Sequence, residues 1–558
     1  MNSTYDVSFE KTRDNLTTVK VNGYYLHSKF NPLLEAEKLV EDIYKPHHLH
    51  IIFGYGMGYI IEALSKKRKF NEPIIIIDPL LDKGILAKEN MDNQYNTHYV
   101  SVEKTEDIRG KISNLAGMTN KIHFFISPNY KKIFLNESHK IAQLVNDVQK
   151  REMINVSTTM RFALDWQINY AMNLRNINND MSLNKLFKIY ECPIVVAASG
   201  PSLSKQLSLL KEYRKRIILI CAGSTINSLL NAGIQPDYVV SIDGGINNFQ
   251  HFENIKLDYS ELIYSPLLHY KVRNQFTSTC YAFVPYVRPA LNNILKKKMK
   301  KELPIIIGGG SVAHYALSIA KYMTSGPICM IGQDLAYTND QTHSSGNKNN
   351  KTIENNNLVL VDGYFDEKVK TDIAFKGMIQ TFEEMNNFHP HETFIFNCTE
   401  GGAKISGYLQ KPFQDFLNQY TVGEVTKASI VCLNSEVQTD LLKEDFEGYD
   451  KILNLLKKGL KIIDKEPGPV FSIDGINQIK KIEKKLNILY LETCVDMLLD
   501  PITTFAEHEF LPPVDENVHD EFKRIKEYIT VLYTESIKMI EKYIKKLNKI
   551  LKEEGEEQ

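Results

Sequence analysis

The sequence is short of the features that announce several large classes of protein. Of its 558 residues one is tryptophan and seven are cysteine. The cysteines, Cys192, Cys221, Cys280, Cys329, Cys398, Cys432 and Cys494, stand singly, with no Cys-x-x-Cys pair and an odd total. That excludes a disulfide scaffold and a thiolate zinc site as organising elements and favours a reducing compartment. Neither sign of charge is in excess. The 67 Lys+Arg face 68 Asp+Glu, a formal net charge of -1, so no global basic field marks nucleic acid as a partner. Apolar runs of membrane-span length are missing, and Met1–Glu10 lacks the basic and apolar regions of a signal peptide. No membrane span is expected, and the expected location is cytoplasmic.

What is present is the balance of a globular chain, 43% hydrophobic and 24% charged, at a length that exceeds one hydrophobic core. His48-Leu-His-Ile-Ile-Phe53 reads as a buried strand running into Gly54-Tyr-Gly-Met-Gly58 and then a helix. The next strand ends at Asp78, about where an acidic residue meets a ribose in dinucleotide or S-adenosylmethionine folds. From Pro193 apolar strands alternate with helical patterns: Ile194–Ala198, Ile217–Cys221, Tyr238–Ile242, Pro304–Ile307 and Pro327–Ile331. Strands that are apolar throughout predict a parallel sheet covered on both faces. Beyond about Leu433, Ile and Leu recur at helical spacing among Lys and Glu. The expected fold class is therefore α/β, with a Rossmann-like domain over residues 1–180, a central parallel-sheet domain over 181–425 and a helical bundle over 426–558. Asn339–Asn357, rich in Asn, Ser and Lys, reads as a loop that could serve as a lid.

Each central strand ends in residues suited to a ligand. Ala198-Ser-Gly-Pro-Ser-Leu203 places Ser199, Gly200, Pro201 and Ser202 before a helix, where backbone N–H groups favour phosphate. Gly308-Gly-Gly-Ser311 lets a ligand approach the backbone at Gly309 and Gly310, with Ser311 as helix cap. In an open parallel sheet these carboxyl ends share one edge, so Ser199, Gly223 with Ser224, Asp243, Gly310 and Asp334 should line one crevice. Any one glycine turn read alone is more often only a turn.

The series Ala198–Leu203, Ser241-Ile-Asp-Gly-Gly245, Gly309-Gly-Ser-Val312, Gly332-Gln-Asp-Leu-Ala-Tyr-Thr338 with Thr342-His343, and Thr399-Glu-Gly-Gly-Ala-Lys404 resembles the core of the motility-associated factor (Maf) flagellin glycosyltransferases. The resemblance spans roughly residues 190 to 407. Maf proteins are similar to bacterial sialyltransferases, so it implies a parallel-sheet glycosyltransferase domain. The implied reaction is transfer of a nonulosonic acid, of pseudaminic, legionaminic or sialic type, from its CMP donor to Ser or Thr of flagellin. Carried over by position, Ser199, Gly200 and Ser202 match the first nucleotide loop, Gly310 and Ser311 the second, and Tyr337 a tyrosine supporting the leaving phosphate. The pattern departs from sialyltransferases at Ser199, Gly223 and Asp243, near positions where those carry asparagine.

The chemistry asks for donors to the departing phosphate, which Ser311 and Tyr337 suit, and a base near the acceptor hydroxyl, which His343 suits because imidazole titrates near neutrality. Asp334 joins Tyr337 and His343 in the catalytic set, with bracing of its loop as the competing role. His314 is expected to pack, and Glu400 is an outside candidate for substrate contact. No tightly bound cofactor is expected and no residue is assigned to a metal. Lys296–Lys301 reads as a solvated helix end. Gly54–Gly58 with Asp78 alone would suit an S-adenosylmethionine methyltransferase, though a nonbinding scaffold is the commoner meaning. A pterin pyrophosphokinase-like enzyme and a nonenzymatic flagellin-binding protein are further alternatives.

Overall fold

The computed structural model describes residues 5–87, 96–119, 121–255, 257–337, 341, 343–344, 347–348, 358–388, 394–430 and 441–555. The chain forms two compact units: residues 1–158 with 468–470 and 507–528, and residues 159–467 with 471–506 and 529–558. The division at 180/181 and 425/426 stands beside this as a proposal about function.

In the first unit four parallel strands lie in the order Thr97–Tyr99, Ile74–Ile77, Leu49–Phe53, Ile122–Ile126. Leu49–Phe53 and Ile74–Ile77 are fully buried, which is why they carry no polar alternation. A three-stranded antiparallel sheet, Val7–Lys11, Thr17–Val21 and Tyr24–Tyr25, accompanies them. The expected Rossmann-like layout is present.

The second unit is built on a nine-stranded sheet whose pairs all run parallel, in the order Leu409–Gln410, Ile395–Asn397, Ile328–Ile331, Ile194–Ala197, Ile218–Ala222, Tyr238–Ser241, Glu261–Tyr264, Cys280–Ala282, Met181–Ser182. Alternate residues of each strand feed two cores, one on each face: Val195 and Ala197 belong to the first, Ile194 and Val196 to the second. The chain leaves Ile194–Ala197 in one direction and returns at Ile328–Ile331 on its other side. That reversal is a topological switch point, where the loops leaving two neighbouring strands open a crevice. The expected strand at Pro304–Ile307 stays outside this sheet: Ile305–Ile306 pairs with Val284–Pro285 in a separate two-stranded ribbon.

The helical C-terminal region comprises Leu441–Lys465, Ile473–Thr493, Asp496–Glu509 and Val518–Glu553. Within the second unit, Tyr449, Ile452, Leu456, Leu486, Ile540 and Leu547 pack with Ile168 of the 45-residue helix Leu135–Asn179. The basic run ends the helix Ala290–Met299 with Lys296 and Lys297 largely exposed, as expected, while Lys298 pairs with buried Asp445 and Lys301 donates to the carbonyls of Ile177 and Asn178. Among the described residues no helix is long and apolar enough to cross a membrane.

Candidate active site

At the carboxyl edge of the nine-stranded sheet lies a cavity of about 310 Å³, within the range of small-molecule sites. Ser199, Gly200, Gly223, Ser224, Asp243, Ser311, Asp334 and His343 all line it. The sheet thus brings together residues up to 144 positions apart in sequence, from Ser199 to His343.

The first loop is built against the Ile328–Ile331 strand-end loop. Gly200 donates its N–H to the Gly332 carbonyl at 2.8 Å. A Cβ on Gly200 would stand 2.1 Å from Asp334 Oδ2 and 2.5 Å from that carbonyl, so only glycine fits. Ser202 donates its hydroxyl to Asp334 Oδ2 at 2.6 Å and its N–H to Asp334 Oδ1 at 3.2 Å. The Ala403 N–H meets the Asp334 carbonyl at 2.7 Å, and Gly402, at φ +68°, packs on the same backbone. The two most distinctive motifs are therefore clasped to each other, and the Thr399–Lys404 turn closes the clasp. The amides of Leu203, Ser204 and Lys205 bond back to the carbonyls of Gly200, Pro201 and Ser202. What this loop offers the cavity is the Ser199 hydroxyl and the bare backbone at Gly200, while Pro201 and Ser202 lie behind them in the turn.

The second loop behaves as a cap. Ser311 Oγ accepts the Ala313 N–H at 3.3 Å, and His314 Nδ1 accepts the Ser311 N–H at 3.2 Å. His314 is fully buried, its Nε2 lies 3.0 Å from the Met378 carbonyl, and burial brings its pKa down to about 4. It is a structural residue. Gly309 packs against Thr381, whereas Gly310 faces open space; neither lines the cavity, which takes Ser311, Val312 and Ala313 from this loop.

Tyr337 stands apart from the lining residues. Its hydroxyl donates to Asp372 Oδ2 at 2.5 Å, and burial with that bond pushes its pKa up to about 12. Glu400 is also turned elsewhere, accepting the Phe413 N–H at 3.0 Å at the start of a helix. Thr342 and most of Asn339–Asn357 lie outside the described residues.

The motif reading missed Asn247, Asn248 and His251, which line the cavity from the helix Ile246–Phe252. Asn248 Nδ2 holds the preceding turn through Ser241 Oγ at 3.0 Å and the Asp243 carbonyl at 2.8 Å. Burial lowers the His251 pKa, with Lys348 adding to the effect and Asp243 opposing it. The signal was available: these positions follow Gly244-Gly245 directly, in the first turns of the helix that leaves a sheet edge. Trp166, the single tryptophan, packs beside the same turn, its Cδ1 2.8 Å from where a Cβ on Gly244 would sit. Among the described residues lining the cavity there is no Lys or Arg. Among the described residues, too, no group of three or more His, Cys, Asp or Glu is arranged to hold a metal ion.

Comparisons with known proteins agree with this architecture. Residues 168–340 match the family model "6-hydroxymethylpterin diphosphokinase MptE-like". An uncharacterized protein of Treponema pallidum (strain Nichols) is 25% identical over 115 residues, 20% of this chain and 54% of that protein, so the chain spans about half the length of this curated relative. A solved structure described as a Maf glycosyltransferase, from Magnetospirillum magneticum AMB-1, superimposes with a TM-score of 0.56 at 13% identity, covering 97% of this chain and 93% of that one. The fold is thus that of a Maf glycosyltransferase along nearly the whole chain.

Proposed function

We propose that this chain is a glycosyltransferase that moves a nonulosonic acid of pseudaminic, legionaminic or sialic type from its CMP donor to Ser or Thr of flagellin, in support of flagellum assembly and motility. The observation that carries the reading is the convergence of four strand-end loops on one cavity at the switch point of a sheet with the Maf fold. A donor with one phosphate asks less of a cavity whose described lining holds two carboxylates and no Lys or Arg than a polyphosphate does, and hydroxyl and backbone donors must then meet its charge. The Ser199, Ser224 and Ser311 hydroxyls, which line the cavity, serve as donors to its single phosphate in this reading.

His343 takes the proton of the acceptor hydroxyl as that oxygen bonds the anomeric carbon. The bond from that carbon to the phosphate oxygen breaks, and CMP leaves with the electron pair. Tyr337 assists the leaving phosphate only on exchanging its bond to Asp372 for one to the ligand. Asp334 acts by holding the donor loop.

The test is the intact mass of flagellin coexpressed with this protein and a nonulosonic-acid pathway. A mass increase of whole sugar units is expected with the wild type and its near-absence with His343→Ala; an unchanged mass with wild type, in cells shown to contain the donor, overturns the reading. Trp166 packs beside the Gly244 turn that follows Asp243, and CMP is expected to change its fluorescence in a saturable way through that turn.

The MptE-like match favours a second reading, diphosphate transfer from ATP to a pterin. A triphosphate would bring far more charge into a cavity whose described lining is without Lys or Arg. Turnover of 6-hydroxymethylpterin and ATP, with no sugar transfer, would decide for it.

A further inference from the structure

His343 lies in a stretch with almost nothing apolar to anchor it. Between Tyr337 and Leu358 the single apolar side chain is Ile353. A segment of this composition cannot be fixed by burial of apolar surface, so the position of the histidine rests on directed hydrogen bonds. Those that are described run to the cavity's own loops. The Ser344 N–H donates to the Ser199 carbonyl at 2.8 Å. The Ser344 and Ser228 hydroxyls meet at 2.8 Å, and both side chains are buried. Asn347 returns its N–H to the Ser344 carbonyl at 3.2 Å, and its side-chain amide donates to the Ser224 carbonyl at 3.3 Å. Ser228 belongs to the helix Thr225–Asn231, which Gly223 and Ser224 lead into.

We propose that Ser228 and Ser344 are positioning residues that hold His343 in the cavity and tie it to the two loops carrying Ser199 and Ser224. The inference rests on the reading of His343 as the base for sugar transfer. Ser228 is set in a helix anchored by buried Ile226 and Leu229, so its hydroxyl offers the apolar-poor stretch at Ser344 a fixed partner, and two buried hydroxyls left unpaired would be costly. Their geometry has a consequence for function: Ser344 is adjacent to His343 in sequence and bonded through its backbone to a residue lining the donor cavity. Registration of the base with the donor loop therefore passes through one peptide unit.

Initial rates of CMP release from a CMP-nonulosonate with flagellin as acceptor test this in the full chain, using Ser228→Ala, Ser344→Ala, His343→Ala and the two double variants that include His343→Ala. Each serine variant is expected to lower kcat by about a hundred-fold, with the donor KM within about two-fold of wild type because Ser199 and Ser224 still line the cavity. Serine substitution should cost nothing further in the His343→Ala background, since a positioning residue has nothing left to position. Ser344→Thr, which keeps the hydroxyl, should recover most of the rate. Thermal midpoints and CMP-induced Trp166 fluorescence separate this from loss of folding.

Serine variants at wild-type kcat, or losses that add fully to that of His343→Ala, overturn the inference while leaving the transferase reading intact. A His343→Ala protein at the wild-type rate overturns both the base assignment and the inference. A wild type that releases no CMP and transfers no sugar overturns the transferase reading and the inference with it.

Discussion

Asp334 accepts both the N–H and the hydroxyl of Ser202 while Gly200 packs against its carboxylate at a distance no Cβ tolerates. Leaving a partner of such buried hydrogen bonds unsatisfied costs about 1–3 kcal/mol. Asp334→Asn is therefore expected to lower stability by about 2 kcal/mol and to weaken the CMP-dependent change in Trp166 fluorescence without abolishing the fold; thermal melts and fluorescence titration check both. Gly200→Ala is expected to be worse for ligand binding than Asp334→Asn, because the methyl group meets a backbone carbonyl as well as a side chain. An alanine variant that binds CMP like wild type would count against the clasp. Glu400 and His314 illustrate the opposite outcome, in which a polar residue near a glycine motif serves a helix end.

Among the elements, the N-terminal strand–turn–helix is the clearest case of a motif diverted from ligand binding. Gly54, Gly56 and Gly58 all adopt positive φ, as such a turn needs. The amides it presents are met by the protein itself: Asp78 Oδ2 accepts the Tyr55 N–H at 2.6 Å, Tyr130 Oη the Gly56 N–H at 2.9 Å and His27 Nε2 the Met57 N–H at 2.8 Å. Tyr130, fully buried, lies where a Cβ on Gly54 would strike its ring. Asp78 also caps the following helix through the Leu80 N–H at 2.6 Å, so it is buried rather than turned toward a ribose. Wild-type protein is accordingly expected to show no calorimetric heat and no thermal shift with S-adenosylmethionine. Tyr130→Phe, which strips one donor from Asp78 and one acceptor from Gly56, should lower stability by about 1–3 kcal/mol.

At the scale of the whole molecule, three buried histidines, His27 and His50 in the first unit and His314 in the second, contribute an acid-sensitive part of the stability, which buried Asp445, its carboxyl raised to about 6 by burial, opposes. Burial brings each imidazole from 6.5 down to about 4. Above pH 6.5 they are neutral in the folded and the unfolded chain alike. Between 6.5 and 4 the unfolded chain takes up protons that the folded one refuses, so stability falls as pH falls across that window. The thermal midpoint should be steady from pH 7 to 8 and drop progressively between pH 6.5 and 4; His50→Gln should flatten part of that slope. A His50→Gln profile with the same slope as wild type between pH 6.5 and 4 would contradict the burial of that imidazole.

Period and punctuation made much of this molecule legible before any tertiary contact was known. Continuous apolar strands such as Ile194–Ala197 require two covered faces, and the glycine- and serine-rich segments after them fall where parallel strands end, so the α/β class and the shared edge follow from local chemistry. Eight of the thirteen residues singled out for the site do line one cavity. Which loops touch was a different matter. The Ser199–Ser202 and Gly332–Asp334 loops are neighbours because the chain reverses direction at Ile194–Ala197, and strand order is a property of the whole sheet. The same holds for Tyr337, drawn to Asp372, for the helix carrying Asn248 and His251, and for Gly54–Gly58, filled by Tyr130 from 74 residues beyond Gly56. Local sequence determines which groups a strand end can offer. Only the packed structure decides whether a ligand or another part of the protein takes them up, because those partners arrive from distant segments and a buried polar group accepts whichever is in reach.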